Sequence, residues 1–121
     1  MSWSFQRERA DTEDLDNIVL NALGTGDNDL KTARHSKEIM RVRGWCITAD
    51  SAATDYRFYS KNTSTSAKTY LSGKITLAAA GGGGPVIDAP SGWFETNAGE
   101  TFGIEVGASA ISGHVKIQYL P

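Results

Sequence analysis

Four consecutive glycines, Gly81 to Gly84, followed by Pro85, raise the first chemical question of this sequence. A phosphate-binding loop needs a glycine-rich turn that opens a helix, then a lysine and a hydroxyl residue, because backbone amides, helix dipole and ammonium act together on the phosphates. Here the run passes into Pro85, Val86, Ile87 and Asp88, and lysine, hydroxyl and helix are all missing. The glycines instead supply the positive φ values and close backbone approach of a wide turn, and Pro85 starts the next residues extended. The run reads as a loop between strands, one that can also yield to contact with a neighbour.

Other reactive side chains are equally short of partners. His35, in the turn RHSK, and His114 have no metal-ligand spacing to each other or to a carboxylate pair, so no metal site is expected. Cys46 is the single cysteine. An intrachain disulfide and a thiolate zinc cage are thereby excluded, and within RGWCIT the residue reads as a small buried hydrophobe. Asp88, Glu95, Glu100 and Glu105 fall in turns or on strand faces, where solvation is the usual role of a carboxylate, and nothing supports a glycosidase pair among them. Serines abound without a nucleophile elbow. The expectation is a protein that is not an enzyme, with no catalytic residue, no cofactor and no small-molecule substrate.

Composition narrows the classes further. The chain has 121 residues, 21% charged and 40% hydrophobic, ordinary globular usage that suits a single packed core. A net charge of -2 and a pI of about 5.6 leave no basic field to draw in a nucleic-acid backbone. No apolar run approaches the roughly 20 residues that span a bilayer, and Met1 to Ala10 is polar, unlike an export signal. A soluble protein without nucleic-acid or membrane partners is expected.

The elements that would position these residues fall into two parts. Residues 1–36 carry four basic against seven acidic side chains, a net -3, while the rest carries eight against seven. Within this acidic head, DTEDLDNIVLNAL spaces Leu15, Ile18, Val19, Ala22 and Leu23 by threes and fours, which predicts a short helix ended by Gly24 and Gly26. A helix of about three turns is marginal alone, so its apolar stripe must cover a surface, either on its own domain or on a neighbouring subunit.

From Leu30 the period changes to two. KEIMRVRGWCITA alternates Met40 and Val42 against Ile39, Arg41 and Arg43, then shifts phase at Gly44 to Trp45 and Ile47, the mark of a bulged strand. DYRFYSK, TYLSGKITLA, TFGIEVGA and HVKIQYL continue the series, with Phe102, Ile104 and Val106 on one face and Val115, Ile117 and Tyr119 on another. Short strands joined by Gly, Ser, Thr, Asn and Asp predict an all-β fold, an antiparallel β-sandwich or jelly roll over residues 30–121, with residues 1–29 as an N-terminal arm containing the short helix. Trp93 and Phe94 read as core anchors, with one of the two rings exposed.

The order of Gly44-Trp45, Ser72-Gly73, Gly81 to Gly84, Gly92-Trp93-Phe94-Glu95-Thr96, Gly99-Glu100 and Gly113 through Tyr119 resembles a recurrent small structural protein of tailed bacteriophages. The resemblance covers residues 30 to 121 and consists of turns and strands without a catalytic signature. It implies a capsid decoration or cement protein of jelly-roll fold and trimeric habit, on the outer surface of the phage head, with the major capsid protein as partner. Such a protein works by binding free energy alone. Under this reading Trp3, Phe5, Leu15, Ile18, Val19 and Leu23 form the capsid or subunit contact. Two alternatives stand beside it: a tail, fibre or collar component with the same sandwich, and a carbohydrate-binding module using Trp45, Trp93 or Tyr119 on an exposed face.

Overall fold

The phase shift at Gly44 is a β-bulge in strand β3 (Ile39–Ala49), where Lys116 pairs with Gly44 and Ile117 with Val42, leaving Arg43 as the extra residue. The bulge changes which parity faces inward. Met40 and Val42 before it, and Trp45, Ile47 and Ala49 after it, are all buried. Cys46 consequently faces outward and is only half-buried, which corrects its reading as a buried hydrophobe.

The computed structural model describes residues 14–83 and 88–121, and every element among them is a β-strand. The remaining strands are β1 (Leu15–Leu23), β2 (Gly26–Thr32), β4 (Thr54–Lys61), β5 (Lys68–Tyr70), β6 (Ile75–Leu77), β7 (Gly82–Gly83), β8 (Phe94–Glu95), β9 (Thr101–Val106) and β10 (Ile111–Leu120). They form two antiparallel sheets packed face to face. One runs β1-β10-β3 and ends in β7 and β8, which pair with different stretches of β3. The other runs β2-β9-β4 and ends in β5 and β6, both on β4. With β5 and β6 sharing one strand position and β7 and β8 another, this is the strand order of a jelly roll.

The aromatic residues fill the space between the sheets. Phe58 lies 5.0 Å from Trp45, 5.6 Å from Phe102 and 5.9 Å from Phe94, ring centre to ring centre. The Trp45 indole N–H donates to the Tyr56 hydroxyl at 2.9 Å, so the one polar atom of that ring is satisfied inside the core. Ile104, Val106, Ile111, Val115 and Ile117 complete the two inner faces, as the alternation predicts.

The N-terminal segment departs from expectation. Residues 15–23 form a strand where the spacing predicts a helix, and β1 pairs with β10 from Leu15↔Gln118 to Leu23↔Ile111. Two features explain the difference. Ile18 and Val19 are β-branched, and Asn17 and Asn21 compete with helical hydrogen bonding, so local preference for helix is weak. The period-two pattern is also disguised: the inner face reads Asp16, Ile18, Leu20, with one acidic residue among the apolar ones, while Leu15 and Val19 face out. Asp16 is accommodated because its carboxylate accepts the Tyr119 hydroxyl at 2.9 Å and meets Lys31 at 3.4 Å. The boundary expected at residue 30 therefore falls inside β2, and residues 15–29 supply one edge of each sheet. Trp3 and Phe5 lie outside the described residues.

Candidate functional site

Gly81, Gly82 and Gly83, the described part of the glycine run, sit at a sheet edge. Gly81 accepts the Ala49 amide at 2.8 Å, and Gly82 and Gly83 pair with Thr48 and Ile47 as β7. A Cβ on Gly82 would collide with the Thr48 side chain, so close backbone approach requires glycine there. What was expected as a loop thus begins as an edge strand. Beyond the run, Asp88 is fastened to the outer face of the first sheet: Arg43 Nε and Nη2 donate to its two carboxylate oxygens at 2.7 and 2.9 Å, and Lys116 Nζ donates at 3.1 Å. Arg43, the bulged residue, is 4% exposed, so the bulge serves to aim a guanidinium at this segment. Burial raises the Asp88 pKa, and the bonds from Lys116 and Arg43 outweigh that, holding it below the usual aspartate range.

A second polar layer covers the outer face of the other sheet. Lys68 Nζ bridges Asp27 at 2.9 Å and Glu105 at 3.0 Å. Arg57 Nε donates to Glu105 at 2.9 Å, its guanidinium stacks 3.5 Å above the Tyr70 ring, and the Tyr70 hydroxyl also donates to Glu105 at 2.9 Å. Beside this cluster Tyr59 lies over Gly103, where any side chain would overlap its ring, and its hydroxyl donates to Asp29 at 2.6 Å. Lys61 pairs with the same carboxylate at 2.6 Å. The hydrogen bond from Lys68, helped by those of Tyr70 and Arg57 and opposed by burial, lowers Glu105 to about 2. Burial and then the Asp29 carboxylate push the Tyr59 phenol above its ordinary value.

These pairs hold strands together; they do not leave a base free beside an acid. Depressed carboxylates stabilise the fold at pH above their unfolded values and lose that contribution as pH falls through their folded ones. Urea midpoints are therefore expected to stay level from neutral pH down to the ordinary glutamate range and then fall steadily toward about 2, and Glu105→Gln should flatten part of the fall. A midpoint unchanged down to the Glu105 value would contradict the network.

The residues singled out from sequence separate on the structure. Leu15 and Val19 face solvent, 38% and 73% exposed, whereas Ile18 and Leu23 turn inward and pack on the core, so the four do not share a face. A strand places residues 15 and 19 on one side and 18 on the other, where a helix would have grouped them. Trp93 is the exposed ring of its pair, at 48%, held edge-on 6.3 Å from Trp45, while Phe94 packs on the core. Trp45 and Tyr119 are buried, 5% and 6% exposed, so a sugar platform built on them is overturned and only Trp93 keeps that geometry. His35 and His114 are exposed and far apart in the fold, on the β2–β3 connection and in β10. Among the described residues no three His, Cys, Asp or Glu side chains are grouped to hold a metal ion. Glu95 pairs with Arg41 at 2.8 Å, and Glu100 accepts the Ser60 hydroxyl at 2.7 Å.

A clasp missed in the sequence closes one end of the sandwich. Glu38, 1% exposed, accepts the Arg34 backbone amide and its Nε, each at 2.8 Å. The same guanidinium reaches Asp14 just ahead of β1 and lies 4.0 Å over the Tyr119 ring. Arg34 and Glu38 stand four residues apart with a turn between them; that spacing was the available signal. No family model, curated protein or solved structure matches the chain.

Proposed function

We propose that the protein is a structural component of a tailed-phage particle, a decoration or cement protein that binds the outer surface of the head and stabilises the shell. The observation that carries this reading is the placement of apolar surface. Val19 and Leu15 are exposed on an edge strand, with Trp93 and Tyr70 as the other exposed large apolar side chains among the described residues, and in sequence this strand follows a segment that contains Trp3 and Phe5. The jelly-roll order and the turn pattern from Gly44 to Tyr119 agree with the phage resemblance. The major capsid protein is the partner on this reading, with copies gathering at threefold positions, and no bond-making step is needed.

The test is addition of purified protein to expanded capsids that lack it, followed by co-sedimentation and heating. Binding and a raised disruption temperature are expected. Deletion of residues 1–13 is expected to weaken binding while leaving the sandwich folded; a longer deletion would remove β1 and with it the fold. Capsids that neither retain the protein nor gain stability would overturn the reading. Labelling intact particles separates the tail, fibre or collar alternative, since a shell protein is present in far more copies than a tail part.

A further inference from the structure

Among the described residues, two long strands end the sheets on one side of the sandwich, β1 and β2. Exposed sheet edges invite another strand, and proteins discourage this with charge, proline, or very short edge strands. β2 carries Asp27, Asp29 and Lys31, and at the opposite side β5, β6, β7 and β8 have three residues or fewer. β1 carries an inward Asp16 and a bulge between Leu20 and Leu23 at its two ends, but from Asn17 to Leu20 it has neither charge nor proline, and Val19 in that stretch is 73% exposed.

The backbone of β1 is also presented correctly. Asp14 accepts the Tyr119 amide at 2.8 Å and the Ala22 amide donates to Ser112 at 3.0 Å, so even-numbered residues direct their N–H and C=O groups toward β10. In an antiparallel ladder the alternate residues, Leu15, Asn17 and Val19, then direct theirs to the open edge.

We propose that β1 pairs antiparallel with β1 of a second copy of this chain, about a two-fold axis through Val19. The strand reads nearly the same in both directions, LDNIVLNAL. Such a pairing runs over Asn17 to Asn21 and sets Val19 against itself, Ile18 against Leu20 and Asn17 against Asn21. A two-fold contact demands this property, because each residue must suit its counterpart in both directions. On the outer face the two Val19 side chains cover each other, flanked by amide pairs. On the inner face half-buried Ile18 gains Leu20 of the second copy, and the two β1-β10-β3 sheets become one continuous sheet. The positive φ of Ala22, 50°, ends the pairing beyond Asn21. The contact takes the same β1 edge that the shell-binding reading uses, so on this pairing Val19 faces a second copy and shell binding is left to residues 1–13 and the remaining surface.

Disulfide trapping of the full chain tests it, in a Cys46→Ser background so that one thiol is present per copy. Val19→Cys is expected to yield mostly linked dimer on oxidation, because a hydrogen-bonded antiparallel pair holds its Cα atoms about 5.5 Å apart, within disulfide reach. Asn17→Cys alone should not link, since its two copies would stand roughly 13 Å apart along the strands. An equal mixture of Asn17→Cys and Asn21→Cys should link again. In sedimentation equilibrium the parent chain is expected in even-numbered assemblies, and Val19→Lys should halve the mass with an unchanged far-ultraviolet spectrum. A monomer or trimer that links no better through residue 19 than through a Thr63→Cys control, or linkage of Asn17→Cys to itself, would overturn the proposal. Capsid retention is measured separately, so either idea can fail alone.

Discussion

Alanine at Gly113 is expected to destabilise the fold by about 3 kcal/mol or more, through backbone strain and a collision that a ladder cannot relieve. Gly113 has φ of 142°, a region open to glycine and costly for any residue with a Cβ. It lies in β10 between Leu20 of β1 and Ile47 of β3, and its added methyl would run into the Cys46 carbonyl oxygen. That oxygen is backbone, so relief means parting β10 from β3. For a chain of this size the loss corresponds to a fall in Tm of roughly 10 °C, read by calorimetry or circular dichroism. A change under about 1 kcal/mol would show that the ladder bends to admit the methyl.

Phe58→Ala is expected to cost about 3–5 kcal/mol, the range for removing a wholly buried aromatic side chain. Phe58 has no exposed surface and is the hub of the ring cluster, touching Trp45, Tyr56, Phe94 and Phe102 from both sheets. Truncation leaves a void between faces that are fixed by their ladders, so collapse around it is limited. Domains are stable by only about 5–15 kcal/mol, and the variant should therefore approach marginality. The urea midpoint measures the loss, and near-ultraviolet dichroism should weaken as Trp45 and Tyr56 lose their fixed surroundings. Phe58→Leu, which keeps most of the volume, should retain most of the stability.

The sandwich was legible wherever one face of a strand is buried and the other wet. TFGIEV and HVKIQY alternate cleanly because their outward residues are polar, and even the bulge before Trp45 showed as a slip in phase. β1 hid itself for the opposite reason. Its outward residues include Leu15 and Val19 and its inward ones include Asp16, so tertiary partners, Tyr119 and Lys31, decide a pattern that spacing alone assigns to a helix. The exposed member of Trp93-Phe94 was equally out of reach, since both rings flank the same turn and only the approach of Trp45 distinguishes them. The ion-pair layers depend on register between strands far apart in the chain: Arg57 meets Glu105 because β4 lies beside β9. Residue types were visible there, and their adjacency was not.

The pairing of β1 with β10 also governs how the molecule is made. Leu15 meets Gln118, so the first ladder of one sheet closes only after nearly the whole intervening chain has been collected. Closing large loops before any reward arrives slows the search for the native state, placing such topologies in the millisecond-to-second regime. Until then the inward side of β1, Ile18 and Leu20, has no cover from the rest of the sandwich.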